Sequence, residues 1–510
     1  MAKPALLACL LLLPWAAAAI VPVFGRSIVA RGLTLATMLI AFGAALALFT
    51  AFDGTADPSR FGVDVPWIRI LNVDLRFAVD GLNVYFMLLT ALLFPVVLVC
   101  AWRTDEGSRP LYLSLMLLLE ALLLATFLAQ DLLVLFVTWE AVLVPMVLLI
   151  LAFGGPRRRR AALTFFLYTM AGGVLLLAAV LWLGATSLAQ TGQWAFDFAT
   201  LQSLRLSETQ QGYLFVAIAL ACAIKSPLVP FHSWLPLAYG EASPSGTALM
   251  AGVMSKMGAY GFLKVALPLC PLAAYRLAPA IAAFAAISIV YGAVLALRQR
   301  HYKQLVACAS LSHMGYVVLG VFSFQATGLH GAMFQVLSHG VVVAGLLLML
   351  GLLEQRYGAA WPEVHGLATR APRFAVVLML FVLASLALPL SSGFSAEFMV
   401  LIGAFVAGLS TWQAGSGATM LISALAASAG VVLGATYMMR FARTTVFDDS
   451  GRPGAPVKDL GARELAALAP LLLVILWVGV KPSSWMDKVE PALAQLARPA
   501  VVALGARHGE

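Results

Sequence analysis

AIKSPLVPFHSWLP, residues 223–236, sets a lysine, a histidine and three prolines inside a run otherwise apolar enough to cross a membrane. Pro227, Pro230 and Pro236 have no amide N–H, so the carbonyls of Ala223, Ser226 and His232 are expected to lose their helical partners. Freed carbonyls inside a bilayer require protein or water around them. A broken span that also carries an amine therefore points to a hydrated, functional interior.

The chain around this stretch has 510 residues, 62% hydrophobic and 11% charged, which leaves too little polar surface to coat a soluble domain. An all-α integral membrane protein with the lipid bilayer as its solvent is the expectation. The net charge of +9 comes from short basic clusters between apolar runs, without aromatic interleaving. They read as topology signals rather than as a nucleic-acid surface. Cys9, Cys100, Cys222, Cys270 and Cys308 form no C-x-x-C pair, which argues against iron-sulfur, zinc or disulfide chemistry. With no G-x-G-x-x-G fingerprint after a strand and no Walker loop, nucleotide and electron chemistry is assigned to partner subunits.

Windows of about 20 apolar residues place fourteen spans: 4–24, 30–51, 80–102, 110–129, 131–154, 161–186, 213–238, 244–268, 277–298, 303–323, 329–353, 373–406, 417–440 and 464–481. Residues 52–79 alternate polar and apolar and predict a small hairpin lying on the membrane; 482–510 predicts an amphipathic tail. Odd-numbered loops carry nineteen Lys and Arg, among them Arg157–Arg160 and Arg452, against five in the even loops, Arg60, Arg69, Arg76, Arg205 and Arg276. Odd loops then face the cytoplasm and both termini the periplasmic side of an energy-coupling membrane, the bacterial inner membrane. The first segment imitates a signal peptide, but Arg26 and Arg31 outweigh Lys3 and predict a retained helix.

Span seven carries the three prolines, and span twelve is too long and is interrupted at LPLSSGF, residues 388–394. Spans four to eight and nine to thirteen form two sets of five that start from opposite faces, with the broken helix fourth in each. This is the arrangement of two inverted five-helix repeats, which build ion pathways around discontinuous helices. The predicted organisation is 1–109 (three helices and the hairpin), 110–268 (first repeat), 277–440 (second repeat) and 441–510 (last helix and tail).

Ionisable groups at mid-bilayer cost at least about 2.5 kcal/mol and need a partner or a water-filled cavity. The candidates are Glu140, Lys225, Lys256, His313, His339 and Glu397. An ion pair between Glu140 and Lys225 is the expected way to make both tolerable. The alternative for two such charges alone is a packing clamp. Six groups on separate spans fit a wire better. His313 and His339 each lie 13 residues from position 326, the middle of a short loop, so an antiparallel hairpin brings them to one depth. Either alone reads as readily as a hydrogen-bonded core histidine; together, with Ser310, Ser312 and Ser338 nearby, they read as a hydrated proton relay, and a metal site would need a third ligand, for which none has suitable spacing. Lys264 is expected to snorkel at a span end, Asp131 and Glu120 to lie near span ends, and His232 and Glu241 to flank a cytoplasmic entrance.

WE-x-x-LVPM at 139–146, KSPLVPFHSWLP at 225–236, EASPSG-x-x-LMAGVMSKMGAYG at 241–261, SLSHMGY at 310–316 and SGFSAEF at 392–398 resemble the antiporter-like membrane subunits of respiratory complex I, most closely the M type. The resemblance runs over residues 80–445. It implies a fold of fourteen helices beside other such subunits, with NADH, flavin, iron-sulfur clusters and quinone in partner chains and no cofactor in this one. It also implies roles: Glu140 as the pairing glutamate, Lys225 as the pump lysine, Lys256 as the central lysine and Glu397 as the exit-side residue, where sister subunits usually have lysine. The sequence departs from the family at Leu237 and Tyr239, where aspartate and histidine are common, and in RQRHYKQ, which lacks the usual aspartate before Lys303. A subunit of an energy-converting hydrogenase, or of a multi-subunit sodium/proton antiporter, shares the framework.

Overall fold

The computed structural model of the chain describes residues 2–54, 61–358, 364–448 and 458–507. Arg60 and Arg452, two of the counted loop arginines, lie outside them. Eleven helices among the described residues are long and apolar enough to cross a membrane. The three other expected spans, the third, seventh and eighth, are built from shorter or more polar pieces.

Helices α1 (Ala2–Ile20) and α2 (Ile28–Ala51) pack together, and α1 also lies against α4 (Pro110–Leu128). Between them in sequence comes the expected hairpin, β1 (Gly62–Ile68) and β2 (Val73–Ala78), antiparallel with Asp64 opposite Arg76. Arg76 bonds Asp64 and Asp74 at 2.9 and 2.7 Å, so this loop arginine is neutralised locally. Helix α3 (Val84–Cys100) is apolar all round and buried, as a helix without a polar face must be.

The fifth span divides into α5 (Leu132–Ala141) and α6 (Leu143–Phe153). Pro145 cannot donate to the Ala141 carbonyl and its ring crowds it, so the ladder opens one residue after Glu140. After α7 (Arg158–Thr191) and the short α8 (Phe198–Ser203), helix α9 (Glu208–Lys225) starts at a capping box of Ser207 and Gln210 and ends at the lysine of the opening stretch. Helix α10 (Trp234–Glu241) resumes the span. The eighth span is interrupted in a way the sequence did not announce: α11 (Pro244–Leu249), a π-turn over Met250–Met254, α12 (Lys256–Gly261), a second π-turn over Phe262–Ala266, and α13 (Leu267–Leu269).

The second half comprises α14 (Pro271–Arg298), α15 (Tyr302–Val321), α16 (Ala326–Tyr357), the short α17 (Leu367–Arg370), α18 (Pro372–Ser385), α19 (Ser392–Gln413) and α20 (Thr419–Ala442). Helices α21 (Ala462–Val480) and α22 (Ser483–Arg507) follow. Helix α16 is the central pillar, enclosed by α3, α11, α15, α18, α19, α21 and α22.

The two breaks share one hydrogen-bond pattern. In the first, Leu228 N–H donates to Ala223 O at 2.9 Å and Phe231 N–H to Leu228 O. In the second, Leu388 N–H donates to Leu383 O at 3.2 Å and Ser391 N–H to Leu388 O. The break in the twelfth span thus begins at Leu386, just before the expected segment. The carbonyl of Ala223, expected to be orphaned, is satisfied by a neighbour one residue further on, and that of His232 by Leu235 N–H. The indole of Trp234 takes the Ile224 carbonyl at 3.2 Å. The prolines therefore redirect backbone hydrogen bonds more than they strand them.

Other expectations need correction. Lys264 does not snorkel freely: its ammonium bonds Asp80 at 2.6 Å and Gln130 at 2.9 Å. Glu120 is not near a span end but fully buried midway along α4, with neither carboxyl oxygen hydrogen-bonded. Asp131 caps α5, accepting from Leu133 and Val134 N–H.

Helix α12 approaches the end of α9 backbone to backbone. A Cβ on Gly258 would stand 2.3 Å from Cys222 O and 2.2 Å from Ser226 Oγ. Gly258→Ala should therefore destabilise the helix pair by about 1–3 kcal/mol, read as a lowered thermal midpoint of the detergent-purified protein; an unchanged midpoint would mean the two elements can part without cost.

Candidate functional site

Lys256 opens α12 directly after the first π-turn and is 0% exposed. Such wide turns disrupt the regular ladder and recur at functional sites. Here the turn presents the Ala251 carbonyl to the side chains that follow. The Lys256 ammonium donates to Ala251 O, to Ser255 Oγ at 3.3 Å and to His339 Nδ1 at 2.7 Å. An ammonium has three N–H donors and no acceptor, so all three are used.

From His339 the chain of groups continues. The rings of His339 and His313 lie 5.3 Å apart, which fulfils the equal depth expected from the α15–α16 hairpin. His313 Nδ1 bonds Glu397 Oε1 at 2.9 Å, and Gln335 donates to the same oxygen at 3.3 Å. Helix α19 brings Glu397 in because the break before it lets Ser392 meet Ser338 at 2.8 Å. A cavity of about 20 Å³ is lined by Ser310, His313, Gln335, Ser338, His339, Ser385 and Glu397. That is room for one water molecule. His339 Nε2, His313 Nε2 and Ser310 Oγ have no protein partner.

The other expected pair is arranged differently. Glu140 and Lys225 are near enough to feel each other's charge, but neither side chain makes a hydrogen bond or ion pair with the other. The expected closed bridge is thus open in this conformation. Lys225, 4% exposed, stands over the Trp139 ring at 5.3 Å, a cation–π contact that holds the charge without a carboxylate. Glu140 faces α7 at Gly173, where a Cβ would fall 2.2 Å from Oε1. At the start of the first break Ser226 Oγ donates at 3.2 Å to the carbonyl of Ser255, the residue before Lys256.

Four of the six expected residues, Lys256, His339, His313 and Glu397, thus form one connected row, while Glu140 and Lys225 stand beside it as an unclosed pair. The carboxylate of Glu241, expected beside an entrance, accepts from Arg157 N at 2.8 Å and Arg157 Nε at 2.9 Å. Trp139, Gly173, Ser255 and Gln335 were not singled out as site members. Gln335 could have been found, since it lies four residues before His339 on one face of α16. The π-turn that exposes Ala251 has no such signal. Among the described residues no three His, Cys, Asp or Glu side chains gather as a metal-binding group.

Discontinuous helices around a buried row of titratable side chains define an antiporter-like membrane subunit. The comparisons with known proteins make that specific. The family model described as NADH:quinone oxidoreductase/Mrp antiporter, TM, matches residues 129–423. NADH-quinone oxidoreductase subunit M of Rhodobacter capsulatus is 35% identical over 508 residues, covering 97% of this chain and 96% of that one. A chain of respiratory complex I from Thermus thermophilus with bound NADH superposes with a TM-score of 0.85 at 32% identity, covering 97% of this chain and 99% of its own. A chain of the Mrp complex from a Dietzia species has the same fold, with a TM-score of 0.80 at 24% identity over 97% of this chain and 52% of its own. The chain belongs to the NADH:quinone oxidoreductase/Mrp antiporter membrane family.

Gly173 supplies a test of the Glu140 environment. In Gly173→Ala the three atoms nearest the added methyl all belong to the carboxyl end of the Glu140 side chain, so assembly should persist while the carboxylate is displaced. Proton translocation should fall with the amount of assembled complex unchanged on a native gel; full translocation would show that the carboxylate position is immaterial.

Proposed function

We propose that this chain is the M-type, proton-translocating membrane subunit of a complex I-type NADH-quinone oxidoreductase. It moves protons through the buried Glu, Lys and His groups and is driven by redox chemistry in partner subunits. The observation that carries the reading is the connected row Lys256–His339–His313–Glu397, in which each group is within hydrogen-bonding or one-water reach of the next. A packing clamp needs one pair; a row of four on α12, α16, α15 and α19 fits conduction.

The working cycle turns on Lys225 and Glu140. When the pair is closed, the carboxylate stabilises the ammonium; when it opens, an amine in a low-dielectric site holds its proton less tightly and yields it toward Lys256. Lysine suits this task because its proton affinity shifts readily with burial, which arginine's does not. One pKa unit corresponds to about 1.36 kcal/mol, and 100 mV opposes a charge by about 2.3 kcal/mol, so a swing of roughly two units suffices. Glu397 then stands as the exit-side group.

NADH, flavin, iron-sulfur clusters and quinone are assigned to partner subunits, with no redox centre in this chain. The bacterial inner membrane, with both termini periplasmic, is the location supported by nineteen cationic residues in odd loops against five in even ones. Neighbouring antiporter-like subunits are the expected lateral partners. A role in a multi-subunit sodium/proton antiporter is favoured by the shared fold of the Mrp complex chain. The carboxylate at position 397, where the resembling sister subunits usually carry lysine, argues for the M type.

Lys225→Ala and Glu140→Ala should each lower the protons moved per electron in membrane vesicles while the complex still assembles and transfers electrons. An unchanged ratio in both variants overturns the proposal, and a sodium requirement for the flux would move it to the antiporter reading.

A further inference from the structure

Tyr239 is 0% exposed, and its hydroxyl has no hydrogen-bond partner. It sits on α10, beyond the first break, beside Ser255 and Ser310 but outside bonding geometry with either. Ser255 is held by Lys256, and Ser310 lines the water-sized cavity with His339 and His313. The Ser310 hydroxyl is likewise unpartnered. Leaving two buried hydroxyls unpaired costs about 1–3 kcal/mol each, and a phenylalanine and an alanine would fill the same volumes without that cost. Their placement is therefore costly for packing and suited to transfer.

The route outward from Tyr239 is also polar. Its carbonyl accepts from Thr247 Oγ1 at 3.1 Å, and the neighbouring Gly240 faces the side-chain amide of Gln304 at the start of α15. Next to Gln304, Lys303 pairs with Glu354 at 2.5 Å, and both lie within electrostatic range of Glu106. Glu106 lies in the loop before α4, where Ser245 donates to it at 3.0 Å. Burial there pushes its carboxyl above the ordinary range, against the hydrogen bonds from Ser245 and Ser243. Glu241, by contrast, is committed to Arg157.

We propose that Tyr239 and Ser310 form the hydroxyl limb that carries protons between the loop mouth at Glu106, Lys303 and Glu354 and the Lys256–His339 site. This rests on the reading of the chain as a proton translocator. In each step the phenol oxygen takes a proton from a hydrated proton arriving from the mouth side, which is left as water, and releases its own to Ser310 Oγ, which in turn releases its proton to water in the cavity beside His339. Each oxygen gains one O–H bond and loses another, so no charge stays on either. Rotation about the two C–O bonds resets the pair. The limb occupies the stretch where this sequence carries Leu237 and Tyr239 instead of the family's common aspartate and histidine.

The test uses the assembled complex in membrane vesicles, with protons translocated per electron as the readout. Tyr239→Phe removes only an unbonded oxygen, so assembly and uncoupled electron transfer are retained and the ratio falls; Ser310→Ala lowers it in the same way. Tyr239→His keeps a donor and an acceptor at the position and preserves the ratio. If His falls together with Phe, the position matters for packing and the proposal is overturned, as it is if both Phe at 239 and Ala at 310 leave the ratio intact. Should Tyr239→Phe fail to assemble, Ser310→Ala carries the same decision. Lys225→Ala measured alongside separates the two readings: a coupled loss there with intact Tyr239→Phe and Ser310→Ala sinks the limb alone.

Discussion

The structure is organised around the need to house a lysine amine where no solvent reaches it. Lys256 is tolerable at full burial because three acceptors from three origins converge on it: a carbonyl exposed by a π-turn, a serine one residue away and a histidine from α16. A single missing acceptor would leave an ionic donor unpaired in the bilayer, at a cost of several kcal/mol. That requirement explains the irregular eighth span, the buried polar stripe of α16 and the close glycine contacts that fix α12 against α9.

Against this satisfied centre, the Glu140–Lys225 pair is deliberately incomplete in chemical terms. Neither side chain has a hydrogen-bond partner, and the lysine leans on an indole face. A cation–π contact is worth about 0.5–2 kcal/mol, less than a closed buried bridge offers, so a modest change in the kink at Val142 or at the end of α9 can exchange one for the other. Placing backbone breaks beside both residues, Pro145 after Glu140 and Pro227 after Lys225, gives the pair room to open and close without disturbing the helices that carry Lys256. The unsatisfied half is where movement is cheapest.

Much of this was legible in the sequence, for physical reasons. Hydropathy located the spans because lipid imposes a length on them, and proline located the break after Lys225 because it cannot donate. The shared depth of His313 and His339 followed from helical rise alone. What escaped was geometry without a residue signature. The π-turn before Lys256 has neither proline nor a glycine in a required conformation; nothing local distinguishes MAGVM from regular helix. Glu120 was misplaced although the expected span 110–129 already set it midway along the helix; its full burial depends on which neighbours close over α4. Whether Glu140 and Lys225 touch was beyond reach, since composition fixes the partners but not the state of a bistable contact.

The repeated break shows how one backbone device serves two ends. The same pair of hydrogen bonds, one spanning five residues and the next spanning three, closes both interruptions, and the residue that terminates the helix differs: Lys225 in the first and Ser385 in the second. In the first half the helix end delivers an amine to the face of the Trp139 ring. In the second it delivers a hydroxyl to the wall of the cavity that joins His313, His339 and Glu397. A titrating group needs a neighbour that can approach and withdraw, while a conducting group needs stable company and room for water. Under the proposed function, the two breaks thus serve different steps, the first the change of proton affinity and the second the passing on of the proton.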